Sequence, residues 1–218
     1  MRTADLSVYL VLDPDMCGGA RGMVLTALAA AQNGATIVQL RAPNWKKRAL
    51  VECGRELKKV LAPLGVPLII NDHADVCLAC DADGLHVGQK DLAPTDARAI
   101  IGAERLLGLS VSCAQELDSV DTALVDHLGI GPIFSTATKT DAAAALGIEG
   151  FAALAARKPC PVVAIGSVKA NLAQPLIAAG ADGLAVVSAI CGQPDPGRAA
   201  QALAQAVADA RRAVGRGN

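Results

Sequence analysis

A chain of 218 residues holds one large domain or two small ones, and a hydrophobic content of 52% supplies ample material for a buried core. A formal net charge of -1 with no basic block argues against nucleic-acid binding through a broad basic face. Aromatic residues are only 2% of the chain (Tyr9, Trp45, Phe134 and Phe151), so base stacking is disfavoured and the core must be built from Ala, Val, Leu and Ile, a mixture that suits parallel strands under Ala-rich helices.

The predicted elements follow a repeating grammar: an Ala-rich helical stretch ending in a small residue, a short β-branched run, then a polar turn. Strands are predicted at Val8 to Leu12, Thr36 to Leu40, Pro67 to Ile70, Gly84 to Val87, Leu106 to Leu109, His127 to Ile130, Pro161 to Ile165 and Gly183 to Val187. The helices between them are predicted at Met23 to Gln32, Trp45 to Ala62, Ala74 to Cys80, Pro94 to Ile101, Cys113 to Ala123, Ile148 to Ala156 and Asn171 to Ala179, with a last amphipathic helix at Arg198 to Val214. Asn33-Gly34 is a good helix stop, and Pro94 suits a first helical position. Eight strand–helix units without a linker predict an α/β fold, a single (β/α)8 TIM barrel over residues 1–218 with a frayed tail at 215–218. A doubly wound open sheet is the alternative, but the turn after the first strand does not match the GxGxxG spacing.

Seven cysteines, an odd number, are scattered among apolar residues, which argues for a reducing compartment rather than a disulfide framework. Cys77 and Cys80 form a CxxC without a second pair at zinc spacing, so they read as buried small side chains. The N-terminus has no signal-peptide pattern, and no apolar run reaches about 18 residues. The expectation is a soluble cytoplasmic protein without a membrane segment.

Polar residues gather at the predicted strand ends: Gln39 and Arg41; Asn71 and Asp72; Gln89 and Asp91; Ser110; Thr136, Thr138 and Lys139; Gly166; and Ser188. In a barrel these ends converge on one face. Asp72 and Asp91, from neighbouring strands, would repel unless a cation lay between them, and Mg2+ is commonly held by one or two carboxylates plus substrate phosphates. Arg41 and Lys139, on opposite sides of the ring, suit an anion larger than one phosphate, such as a departing diphosphate. Gly166 and the Val187-Ser188 end follow strands seven and eight, where barrels often hold a single phosphate on backbone N–H groups. The three histidines, His73, His86 and His127, offer no nucleophilic triad; His86 and His127 lie within strands and read as packed or hydrogen-bonding residues rather than bases.

Several motifs together resemble the thiamine-phosphate synthase family. They are Val38-Gln39-Leu40-Arg41, Ile70-Asn71-Asp72, the run from Asp83 to Leu92, the run from Gly131 to Lys139, and the run from Gly180 to Ile190. The resemblance spans nearly the whole chain. It implies a TIM barrel that joins a hydroxymethylpyrimidine diphosphate to a thiazole phosphate, releasing diphosphate and giving thiamine phosphate. By the same resemblance, Asp72 and Asp91 would hold Mg2+, while Gln39, Arg41, Asn71, Ser110 and Lys139 would bind the pyrimidine diphosphate. Thr136, Ala137, Thr138, Gly166, Val187 and Ser188 would bind the thiazole phosphate. Arg41, Lys139 and Ser110 would carry the chemistry, by a dissociative route in which diphosphate leaves first. Partners would be these small molecules, with no nucleic acid and no membrane; a homo-oligomer is compatible with this. The chain departs from the family pattern at Pro43, where a lysine is common, at Ile165-Gly166-Ser167, where Gly-Gly-Ile is usual, and at Ser112, where a histidine is usual. Lys46 or Lys47 is the candidate substitute for the lysine. Two alternatives stay open: a related thiazole tautomerase, which typically has histidine where this chain has Pro132, and a thiamine-phosphate binder without turnover.

Overall fold

The structure is a computed structural model that describes residues 4–135 and 144–215. Eight parallel strands close into a barrel in sequence order: β1 (Val8–Leu12), β2 (Ile37–Leu40), β3 (Leu68–Asn71), β4 (Gly84–Val87), β5 (Leu106–Val111), β6 (His127–Ile130), β7 (Val162–Ala164) and β8 (Gly183–Val186), with β8 pairing back to β1. The TIM barrel read from the repeating pattern is therefore the fold. Of the tail at 215–218, only Gly215 falls among the described residues.

The helices are α1 (Pro14–Cys17), α2 (Ala20–Gln32), α3 (Lys47–Leu61), α4 (Ala74–Ala79), α5 (Pro94–Ile101), α6 (Ala114–Asp118), α7 (Gly147–Ala155), α8 (Ala173–Ala178) and α9 (Pro196–Ala213). Two differ from the sequence reading. The Asp13-Pro14 turn is a single helical turn, α1, because the Asp13 carboxylate accepts from the N–H groups of Asp15 and Met16, both at 3.0 Å, and Gly18 ends it in the left-handed region. Conversely, α6 stops at Asp118 rather than Ala123. There the Ser119 hydroxyl donates to the Glu116 carbonyl and the Asp121 carboxylate accepts from Ala123 N, so side chains compete with continued helix.

The main hydrophobic shell lies between strands and helices, where Leu10, Val38, Ile70, Leu85, Val87 and Leu128 pack against helix residues such as Leu57 and Leu203. Cys77 and Cys80 belong to this shell, the first with its thiol bonded to the Gly84 carbonyl and its pKa pushed up to about 12 by burial; they are buried small side chains, as their sequence context suggests.

One bonding pattern recurs at the N-terminal end of the barrel. The residue before each even strand donates its N–H to a carbonyl near the start of the preceding odd strand, and its side chain accepts that same residue's N–H. The pairs are Thr36 with Val8, Asp83 with Leu68, Asp126 with Leu107 and Asp182 with Val162. Each aspartate also meets a cation associated with the helix before the odd strand: Lys58 of α3, Arg98 of α5, and Lys158 just after α7. These clamps fix the barrel at the end away from the predicted chemistry, where stability rather than catalysis is the usual demand.

The barrel interior is filled by a second, smaller set that includes Tyr9, Val11, Ile37, Ile69, Leu106 and Val163. Among these sits His127, 2% exposed. Burial lowers its pKa to about 4, with Asp126 opposing, so it is neutral near pH 7. A histidine whose folded pKa lies below its unfolded value near 6.5 contributes stability that is complete above that value and is lost as pH falls toward 4. Urea unfolding should therefore lose about 2 kcal/mol between roughly pH 7.5 and 5 in the wild type. The same loss should be missing in His127→Phe.

Candidate active site

Closing a parallel barrel brings every strand's C-terminal end to one face. Gln39, buried in β2, turns inward, and its Nε2 donates to the Tyr9 hydroxyl at 2.9 Å. Burial pushes the Tyr9 phenol pKa well up, so it stays neutral. Arg41 follows β2 directly and is half-buried. Asn71 ends β3 and donates from Nδ2 to the Asp72 carboxylate at 2.5 Å. Asp72 has φ 63, a left-handed conformation that aspartate tolerates better than most residues, and its N–H donates to the His86 carbonyl at 2.8 Å. Asp91 lies between β4 and α5, where its carboxylate accepts from Gly88 N at 2.8 Å. Asp72 through its backbone and Asp91 through its carboxylate are thus both tied to the C-terminal end of β4.

Ser110, in β5, is 2.9 Å from His86 Nε2 through its Oγ, while its carbonyl accepts from Gln89 Nε2 at 2.7 Å. Asn71, Asp72, Asp91 and Ser110 are therefore gathered around one strand end, with His86 at its centre. The sequence reading gave His86 no place in this cluster. The available signal was the period-two alternation of β4: Leu85 and Val87 face the outer shell, so His86 faces inward.

On the opposite arc, β6 runs into a cis Gly131-Pro132 peptide bond. Ile133 N donates to the Ile165 carbonyl at 2.8 Å and Phe134 N to the Gly166 carbonyl at 3.2 Å, while the Ser167 hydroxyl donates to the Ser135 carbonyl at 2.7 Å. Gly166 has φ 102, and a Cβ there would lie 2.6 Å from Pro132 Cα, so two features demand glycine. Thr136, Ala137, Thr138 and Lys139 lie outside the described residues. Their described flanks are joined: Leu146 N donates to the Pro132 carbonyl and Gly147 N to the Ile133 carbonyl, each at 2.9 Å. Val187 and Ser188 follow β8 in a turn whose Ile190 and Cys191 N–H groups donate to the Val187 carbonyl.

Among the described residues no three His, Cys, Asp or Glu side chains cluster as a ready-made metal cage. Two carboxylates on neighbouring strand ends are a donor set that fits Mg2+, which usually takes its remaining ligands from phosphates and water. Of the two lysines weighed against Pro43, Lys47 is bonded to Asp75 at 2.6 Å and holds that carboxyl below its ordinary pKa. An open cleft of about 730 Å3 lies at the barrel's other end, lined by Lys58, Asp83, Asp81 and Arg105, whose charges are already paired with one another. No helix among the described residues is long and apolar enough to cross a membrane.

Known proteins share the barrel and much of the sequence. The family model for thiamine monophosphate synthase matches residues 8–190. The chain is 52% identical to a thiamine-phosphate synthase of Xanthobacter autotrophicus over 207 residues, covering 95% of this chain and 98% of that one. It is 48% identical to a thiamine-phosphate synthase of Laribacter hongkongensis, over 88% of this chain and 90% of the relative. Among solved structures, thiamine phosphate pyrophosphorylase from Pyrococcus furiosus superposes with a TM-score of 0.85 at 29% identity, covering 95% of this chain and 98% of the other. The match in sequence over nearly the full length, joined to the matching barrel, means that the chain belongs to the thiamine monophosphate synthase family.

Proposed function

We propose that the C-terminal face of this barrel condenses 4-amino-2-methyl-5-hydroxymethylpyrimidine diphosphate with 4-methyl-5-hydroxyethylthiazole phosphate, yielding thiamine phosphate and diphosphate. The observation that carries the site assignment is the anchoring of both Asp72 and Asp91 to the end of β4, beside Asn71 and Ser110. Gln39, Asn71 and Ser110 offer hydrogen bonds to the aminopyrimidine end of the substrate. Arg41 and Lys139 supply positive charge to its diphosphate. Thr136, Ala137, Thr138, Gly166, Val187 and Ser188 hold the thiazole phosphate. Asp72 and Asp91 would hold Mg2+, which when bound supplies positive charge to the diphosphate oxygens.

The reaction breaks the bond between the pyrimidine methylene carbon and the diphosphate oxygen, and the electron pair leaves with diphosphate. The aminopyrimidine spreads the resulting positive charge, so no protein nucleophile is required. The thiazole nitrogen then donates its lone pair to the methylene carbon. The protein contributes orientation, by holding the nitrogen against the carbon, and cationic groups aimed at the charge that develops on the leaving oxygens. The chain acts as one domain and as a cytoplasmic enzyme.

A thiazole tautomerase is disfavoured by Pro132, which stands where such relatives carry histidine. Incubation with both substrates, with and without Mg2+, tests the reading: thiamine phosphate and diphosphate should appear together and only with the metal. Thiamine phosphate binding without turnover would instead make the chain an inactive binder. Gly166→Ala should raise the KM for the thiazole phosphate about tenfold or more through displacement of the Pro132–Ile133 backbone, with a smaller effect on the pyrimidine diphosphate. Steady-state kinetics varying each substrate in turn checks this.

A further inference from the structure

His127 presents a problem of physical chemistry. It lies inside the barrel, 2% exposed, and neither ring nitrogen has a hydrogen-bond partner among the described residues. A buried polar group in that condition is destabilising, and a phenylalanine of similar shape would avoid the cost. Its surroundings suggest what the histidine gains. Its ring is 5.9 Å from that of His86 on one side and 5.8 Å from that of Tyr9 on the other. His86 in turn is bonded to Ser110 Oγ, and Tyr9 to Gln39. A column of polar side chains therefore runs through the barrel interior, with Ser110 and Gln39, both assigned to the pyrimidine substrate, at its ends.

Gly108 explains how the middle of the column fits. It pairs in register with His86 on β4 and with His127 on β6. A Cβ at Gly108 would lie 2.4 Å from His127 Nε2 and 2.4 Å from His86 Nδ1. The missing side chain thus lets both nitrogens close in over Gly108, to within about 5 Å of each other, a span that a single hydrogen-bonded water can cover. A neutral imidazole has one donor and one acceptor nitrogen, and the partner of one nitrogen decides which role falls to the other. Whatever His127 does at the Gly108 side of His86 is transmitted to the Ser110 side.

We infer that His127 is a positioning residue: acting across the space over Gly108, it holds His86 in one tautomer and thereby fixes which way the Ser110 hydroxyl points toward the pyrimidine substrate. The inference rests on the transferase reading for Ser110's role, but not for the coupling between the two imidazoles.

The test joins kinetics to a spectroscopic readout. In wild-type protein, two-bond 1H–15N correlation spectra should show His86 in a single tautomer, its signals assigned by their loss in His86→Gln. In His127→Phe the His86 signals should move to a mixture of tautomers. The melting temperature at neutral pH should hold or rise, while kcat/KM for the pyrimidine diphosphate falls about tenfold. His127→Gln, which restores a donor and an acceptor, should recover most of that loss. Unchanged His86 signals in His127→Phe, or wild-type kcat/KM in that variant, would overturn the inference. If the wild type itself gives no thiamine phosphate, the transferase reading fails, and the tautomer comparison still decides whether His127 governs His86. Should His127→Phe not fold, His127→Leu, which also removes both ring nitrogens, supplies the same two readouts.

Discussion

Asp72→Asn is expected to reduce thiamine phosphate formation about a thousandfold while leaving the barrel intact. Asparagine is the informative replacement because position 72 has φ 63, where asparagine is tolerated and alanine would add backbone strain. The substitution removes one negative charge and keeps the shape, and the N–H bond to the His86 carbonyl is a main-chain contact that survives. With Asp91 alone, the site loses half of the carboxylate charge that would hold Mg2+, and with it the stabilisation of the departing diphosphate. Electrostatic groups aimed at developing charge are commonly worth 10²–10³ or more in rate, about 3–4 kcal/mol. Steady-state turnover at saturating substrates, with circular dichroism as the fold control, checks the expectation. Lys139→Ala should bring a loss of similar size by removing a cation from the same leaving group.

The second large effect concerns stability. Asp126→Ala should cost about 3–5 kcal/mol and lower the melting temperature by roughly 10 °C. Asp126 is 5% exposed, and its carboxylate bonds both Leu107 N at 2.9 Å and the Arg98 guanidinium at 2.7 Å. Arg98 also donates to the carbonyls of Leu124, Gly102 and Arg105, so it is held in place when the aspartate is lost. What remains is a largely buried cation without its counter-charge and a strand N–H without its acceptor. The corresponding Asp83→Ala and Asp182→Ala should cost less, since the side chains of Lys58, Asp83, Lys158 and Asp182 are all more exposed than those of Arg98 and Asp126. Denaturant unfolding at neutral pH separates these cases.

The fold was legible because each strand is a short, largely apolar run bounded by turn residues, and because eight such runs alternate with helical stretches. The errors came where side chains act locally: Asp13 turns an apparent loop into α1, and Ser119 and Asp121 cut α6 short. The strand-end residues could be gathered because barrel closure puts all such ends on one face. The aspartates before β4, β6 and β8 stood in plain view as Asp83, Asp126 and Asp182, but their clamp depends on register between strands, which no single strand reveals. The interior column was hidden for a similar reason. Pairing of Gly108 with both histidines joins three strands, and only the closed barrel brings Tyr9 beside His127.

In the proposed reaction the Asp72–Asp91 end of β4 drives departure of diphosphate so that the thiazole can capture the pyrimidine. Rapid-quench single-turnover mixing of excess protein with both substrates and Mg2+ tests it most directly, run side by side for the wild type and Asp72→Asn. Equal amounts of thiamine phosphate and diphosphate are expected from the wild type, and both substrates should be recovered unreacted from the variant on the same timescale. Wild-type protein that yields no thiamine phosphate, or a variant that yields it at the wild-type rate, would contradict it.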